Sequence, residues 1–162
     1  KIRTVLCTGN VTSHENIEHL TSIAPNVHIV KGDRDGILLE NQNLPESVVV
    51  TIGQFKVGLM HGHQIVPWGD HEALAAVQRR LDVDILVSGH THRNEIFQAN
   101  GKFYLNPGSV SGAPNPGVDG APIVPSFMLM AIQGPSAVVY VYELQDGKAN
   151  VAMSEFRKEM GA

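Results

Sequence analysis

Val87-Ser88-Gly89-His90-Thr91-His92 carries an apolar strand straight into a Gly-His-Thr-His loop. The glycine allows the backbone to turn tightly, and two imidazoles spaced two residues apart in an extended loop can face one cavity. Working outward, three other apolar strands end the same way: 5–8 in Gly9-Asn10, 27–30 in Gly32-Asp33-Arg34-Asp35-Gly36, and 55–60 in His61-Gly62-His63. In open α/β sheets, functional groups gather at the carboxyl ends of strands, so four such loops can share one crevice. Imidazoles with carboxylate or amide oxygens suit Zn, Mn or Fe, and two ions held about 3.5–4 Å apart form the clamp used in phosphoryl transfer. Taken singly, each loop reads more readily as an ordinary turn or a solvated loop than as a ligand set. The ordered set is what points to a metal centre. His14, His19, His28 and His71 have no such companions and read as surface or core residues.

The remaining periodicities fill in the architecture. Thr12 followed by Glu15 forms a capping-box pattern ahead of Ile17, Leu20, Ile23 and Ala24 at helical spacing, with Pro25 as the stop. Asp70 predicts the cap of a second helix carrying Leu74, Val77 and Leu81. Residues 48–52 and 55–60 flank Gly53-Gln54 as a hairpin, and Asn100-Gly101 marks another. The segment 37–46 is polar and irregular, and 110–125 is a long Gly- and Pro-rich loop. A meander of 126–132, 137–144 and 148–156 follows, its last two runs alternating in polarity. The expected fold is α/β, a two-layer β-sandwich flanked by helices, with 1–162 as a single domain.

With 162 residues, 43% hydrophobic and 17% charged, the composition is that of a globular protein. A formal charge of −4 gives no basic footprint for nucleic acid, and no apolar run reaches the ~20 residues of a membrane helix. Membrane association is therefore expected only through partners. The lone Cys7 permits no internal disulfide and reads as a small buried residue of a protein in a reducing, cytoplasmic setting.

The order Gly9-Asn10, Gly32-Asp33, His61-Gly62-His63, Gly89-His90-Thr91-His92 and Asn106-Pro107-Gly108-Ser109 resembles the calcineurin-like metallophosphoesterase superfamily from its second motif onward. Cys7-Thr8-Gly9-Asn10, the run 27–33, the run 53–58, His61-Gly62-His63-Gln64, Pro67-Trp68-Gly69-Asp70 and Pro125-Ser126-Phe127 resemble more closely the phosphoesterase-like subunit family of retromer, the endosomal cargo-retrieval coat. The resemblance implies an opening strand ending in Asp-x-His, which is expected ahead of Lys1. It also implies Asn10 and His92 as ligands of a first metal, Asn10, Asp33, His61 and His90 as ligands of a second, and His63 as a neighbour of the site. One or two weakly held Zn or Mn ions, or none, are expected.

Two residues argue against catalysis. Asn10 stands where active relatives bridge two cations with an aspartate, so less negative charge compensates them. Arg34 stands where active relatives carry a proton-donating histidine, and a guanidinium does not release a proton near neutral pH. The resemblance therefore implies a noncatalytic scaffold, peripheral on endosomes through its complex. It further implies that Val66 and Trp68 of the apolar run 65–68 seat the large helical-solenoid subunit, while Leu129, Tyr140 and Tyr142 receive regulators of endosomal trafficking. A metal-dependent phosphodiesterase is the alternative.

Overall fold

Two hydrophobic layers meet face to face: the strands Ser47–Ile52 and Ser136–Gln145 cover alternate residues, whereas Phe55–Met60, Ile85–Val87 and Lys102–Pro107 are covered on both faces. The computed structural model describes residues 1–38, 43–118 and 120–161. Residues 39–42 of the irregular segment expected over 37–46, and residue 119 of the long loop, lie outside the described residues.

A five-stranded sheet of β3 (Ser47–Ile52), β4 (Phe55–Met60), β5 (Ile85–Val87), β6 (Asn94–Ala99) and β7 (Lys102–Pro107) has the order β3-β4-β5-β7-β6. β4, β5 and β7 run parallel in the centre, with an antiparallel hairpin partner at each edge. Opposite lies a three-stranded antiparallel sheet of β8 (Ser126–Gln133), β9 (Ser136–Gln145) and β10 (Lys148–Arg157), and beside it the parallel pair β1 (Thr4–Cys7) and β2 (Asn26–Ile29). Phe55, Val57, Leu59, Ile85, Val87, Phe103 and Leu105 of the larger sheet meet Val30, Ala137, Val139 and Phe156 in the main core. Helix α3 (His71–Leu81) closes the other face of the larger sheet by laying Leu74 and Ala75 on Met60, Leu86 and Tyr104. The α/β sandwich with helices outside is thus the arrangement expected.

Local chemistry explains most boundaries. Asp70 caps α3 by accepting from the Ala73 amide at 2.8 Å, and Asp82 ends that helix in the left-handed region. Both Asn100-Gly101 and Asp146-Gly147 turn with positive φ at both residues, as tight hairpins require. Helix α1 (His14–Ile23) differs from expectation, because Ser13, not Thr12, accepts from the Asn16 amide. Thr12 takes a φ of +62° and gives its amide to Asp35 instead. A short helix, α2 (Asp35–Leu38), arises where only a loop was expected. Strand β10 does not alternate as predicted: among its residues only Phe156 is buried, since as an edge strand it reaches the opposite sheet only where Phe156 stacks on Phe103. Cys7 is half-buried, and burial raises its thiol above the ordinary range.

At the sandwich end opposite the ligand loops, Asp84 ties the two sheets together. Its carboxylate accepts from Lys158 at 2.7 Å, the Lys56 amide at 2.9 Å and Lys102 at 3.3 Å, while Lys158 also donates to the Gln54 carbonyl. Burial works to raise this carboxyl, but the bonds from Lys158, the Lys56 amide and Lys102 outweigh it and hold it below the usual range. A carboxyl depressed in the folded state contributes stability above the unfolded value of about 3.9 and loses it as pH falls through the folded value. Asp84→Asn is therefore expected to cost about 1–3 kcal/mol at pH 7, limited by screening of the part-exposed lysines. The difference from wild type should shrink below about pH 4 in urea titrations across pH. A pH-independent difference would refute the ion-pair origin.

Candidate metal centre and its rim

Four loops leave β1, β2, β4 and β5 at the same end of the sandwich. The first two are held together by Asp35, which is 1% exposed. Its carboxylate accepts from the Asn10 and Gly32 amides at 2.8 Å each and from the Thr12 amide at 3.2 Å. Asn10 and Thr12 both occupy the left-handed region, with φ of +56° and +62°, and these bonds hold them there. The β4 and β5 loops cross at glycines: the Gly89 amide donates to the His61 carbonyl at 2.7 Å, and a Cβ on Gly62 would lie 2.8 Å from the Gly89 oxygen. Asn106, buried on β7, donates to Thr91 Oγ1 at 2.9 Å and accepts from the Gly108 amide, setting the path of the Gly-His-Thr-His loop.

Within this frame Asp33, His61 and His90 each offer a ligand atom, and the three atoms lie within 4.8 Å of one another. The His61 Nδ1–H donates to the Thr8 carbonyl at 2.6 Å, which fixes the tautomer and leaves Nε2 facing Asp33 Oδ1 at 3.2 Å. Burial pulls the pKa of His61 below the ordinary imidazole range despite the Thr8 bond and Asp33, and burial together with His61 does the same to His90. Both rings are thus neutral near pH 7, the form that ligates a metal. Asp33 stays below the usual carboxylate range; burial opposes this, but the Asn10 bond and the two histidines prevail. His90 Nε2 is buried without a hydrogen-bond partner among the described residues. Two neutral imidazoles, one carboxylate and a buried nitrogen in need of a partner fit a Zn- or Mn-type cation.

The other expected ligands are placed differently. His92 turns its Nδ1 to the Ala113 carbonyl at 2.7 Å and stands outside the group of three. Asn10 lies against the group through its side-chain nitrogen, 2.9 Å from Asp33 Oδ1 and 3.4 Å from His61 Nε2. The His63 ring centroid is 5.3 Å from that of His61, and its buried Nδ1 lacks a partner among the described residues.

Beside the centre the apolar run divides. Ile65 is core at 3% exposure, whereas Val66 is 76% and Trp68 44% exposed. Trp68 meets the His90 ring edge-on at 4.3 Å, and a Cβ on Gly117 would lie 2.3 Å from the indole. Asn115 donates to the His90 carbonyl and Arg93 to the Ala121 carbonyl, so the long loop after β7 is strapped to the ligand loops. A second apolar face lies on the three-stranded sheet. Because Ala137, Val139 and Val141 point inward, Tyr140 and Tyr142 point outward. The register sets Leu129 and Met153 on either side of Tyr140, and Phe127 and Val151 on either side of Tyr142. Phe127 stacks on Tyr142 at 4.9 Å.

Sequence reasoning missed Asp35, Phe127, Val151 and Met153 as parts of these sites. The second aspartate of Gly-Asp-Arg-Asp-Gly was a visible signal for Asp35. The other three depended on strand register, which a linear pattern leaves open.

The calcineurin-like phosphoesterase superfamily domain matches residues 1–134. Vacuolar protein sorting-associated protein 29 of Schizosaccharomyces pombe is 39% identical over 160 residues, covering 98% of this chain and 83% of the relative. The Entamoeba histolytica Vps29 structure in complex with Zn2+ superposes with a TM-score of 0.89 at 50% identity, covering 97% of this chain and 84% of that one. Chaetomium thermophilum Vps29 with a RaPID-derived cyclic peptide gives a TM-score of 0.81 at 37% identity, covering 99% and 83%.

Proposed function

We propose that this chain, which belongs to the Vps29 family of the calcineurin-like phosphoesterase superfamily, works as a noncatalytic scaffold subunit of retromer in endosome-to-Golgi retrieval. The observation that carries this reading is the join between rim and centre: exposed Trp68 rests on the buried ring of His90, beside the freely exposed Val66. An enzyme for charged esters would place polar groups at that position, whereas an apolar rim on a rigid frame suits a protein partner. The rim seats the large helical-solenoid subunit. The Leu129, Tyr140 and Tyr142 face takes short apolar segments of trafficking regulators, a reading in keeping with the peptide-bound Chaetomium relative. The chain reaches the endosome membrane through its complex and stays on the cytoplasmic side.

Asp33, His61 and His90 would hold the metal, with His92 and, once its amide is turned from Asp33, Asn10 as further ligands if a second ion is bound. A bound Zn2+ or Mn2+ supplies a fixed positive charge between the loops and Lewis acidity toward a phosphate oxygen. The ligand triad is what favours the phosphodiesterase alternative. Arg34 and the amide of Asn10 oppose it, since neither supplies the leaving-group proton or the anionic bridge.

Val66→Asp is expected to weaken binding to the solenoid subunit roughly 30-fold or more in a calorimetric titration, because a carboxylate would be desolvated without a partner. Since Val66 is 76% exposed, the melting temperature should not change. Undiminished binding would show that the rim is not the contact. Mn-dependent turnover of a generic phosphodiester that His90→Ala abolishes would overturn the noncatalytic reading.

A further inference from the structure

We infer that Asn10 acts as a built-in substitute for a cation, its side-chain NH2 group bridging Asp33 and His61 so that the ligand loops keep their geometry without a metal. The orientation of this amide follows from its neighbours. The Arg34 backbone N–H lies 3.0 Å from Asn10 Oδ1, and a backbone N–H can only donate, so that end of the amide is the oxygen. The NH2 end therefore faces the centre, 2.9 Å from Asp33 Oδ1 and 3.4 Å from His61 Nε2. The need for such a bridge is equally clear. His61 commits its Nδ1–H to the Thr8 carbonyl, so its Nε2 is an acceptor, and it stands 3.2 Å from a carboxylate oxygen. Two acceptors at that distance repel each other unless a proton donor or a cation lies against both.

One amide nitrogen has two hydrogens and serves both acceptors, while its oxygen pins the backbone of the Asp33 loop through Arg34. An aspartate at this position would have no hydrogen to give. It would add a second carboxylate beside Asp33 and leave a divalent cation as the group able to relieve the repulsion. Replacing aspartate with asparagine thus exchanges a loop arrangement assembled by metal for one assembled by a hydrogen bond. In the present chain an arriving ion competes with the amide for Asp33 and His61. This deepens the scaffold reading by explaining how the frame beneath Trp68 keeps one shape. It rests on that reading only for its biological sense, since partner titrations test one and metal-dependent melting tests the other.

The test compares the full chain with Asn10→Asp and Asn10→Ala, each melted in EDTA and in Zn2+. Wild type is expected to melt within about 1 °C of the same temperature in both, its own bridge offsetting much of what zinc gains. Asn10→Asp is expected to melt lower in EDTA and to rise by roughly 5 °C or more with zinc at a hundredfold excess over its Kd. Its zinc affinity by calorimetry is expected to exceed that of wild type about a hundredfold or more, so that the same zinc concentration lies near the wild-type Kd and adds about 0.4 kcal/mol there. Asn10→Ala, which cannot bridge and adds no charge, should fall in EDTA and be partly restored by zinc. If wild type gains as much from zinc as Asn10→Asp does, or if both variants melt like wild type in EDTA, the amide is not the bridge.

Discussion

Asp35→Ala is expected to lower the unfolding free energy by about 3–5 kcal/mol, the largest effect of any single polar substitution at the ligand loops. Three backbone amides, those of Asn10, Thr12 and Gly32, would lose their acceptor at a site 1% exposed to solvent. Each buried donor left without a partner costs about 1–3 kcal/mol, reduced where water can enter beside the shortened side chain. Two of the residues released, Asn10 and Thr12, are held at positive φ, so the loop would relax toward ordinary backbone and carry Asn10 away from Asp33. Asp35→Asn, which keeps the shape and one oxygen, should cost about half as much. Urea denaturation measures both, and a loss under about 1 kcal/mol for the alanine variant would mean that the loops do not depend on this carboxylate. Zinc affinity should fall with stability, because Asp33 rides on a loop that Asp35 fixes and would shift away from His61 and His90.

Gly62→Ala is expected to be nearly as damaging, by about 3–5 kcal/mol, for steric reasons. Its φ of +110° disfavours any side chain, and the added Cβ would lie 2.8 Å from the Gly89 oxygen and 3.2 Å from its carbon. Those neighbours are backbone and cannot rotate away. The β4 and β5 loops would have to part, moving His61 from His90, whose ring centroids are now 5.3 Å apart. Zinc binding should weaken at least tenfold. Gly101→Ala provides the contrast, since its φ of +69° carries conformational strain but no atom lies within 4 Å of the added Cβ. It should cost only about 1–2 kcal/mol. Equal melting temperatures for the two variants would refute the argument from loop crossing.

Much of the molecule was legible because its signals are local. The Asn100-Gly101 and Asp146-Gly147 turns, the Asp70 cap and the alternation of Tyr140 and Tyr142 with Val139 and Val141 depend on neighbours within a few residues. The capping residue of the first helix was misread for the opposite reason. Thr12 satisfies its local pattern, but its amide is claimed by Asp35, 23 residues away, and Ser13 takes over the cap. The exposure of β10 was equally invisible, since its alternating sequence does not disclose that one flank has no strand paired to it among the described residues.

The same division runs through the centre. Sequence alone determined which residues can ligate a metal, because histidine and aspartate chemistry and the strand-to-loop spacing are intrinsic to the chain. The grouping of Asp33, His61 and His90 within 4.8 Å, the turning of His92 toward Ala113, and the side of Asn10 that faces Asp33 were decided only in three dimensions. Each depends on a hydrogen bond or a glycine contact between segments far apart in sequence. Such contacts are selected when the sheets pack and the loops above them must satisfy every buried donor and acceptor at once.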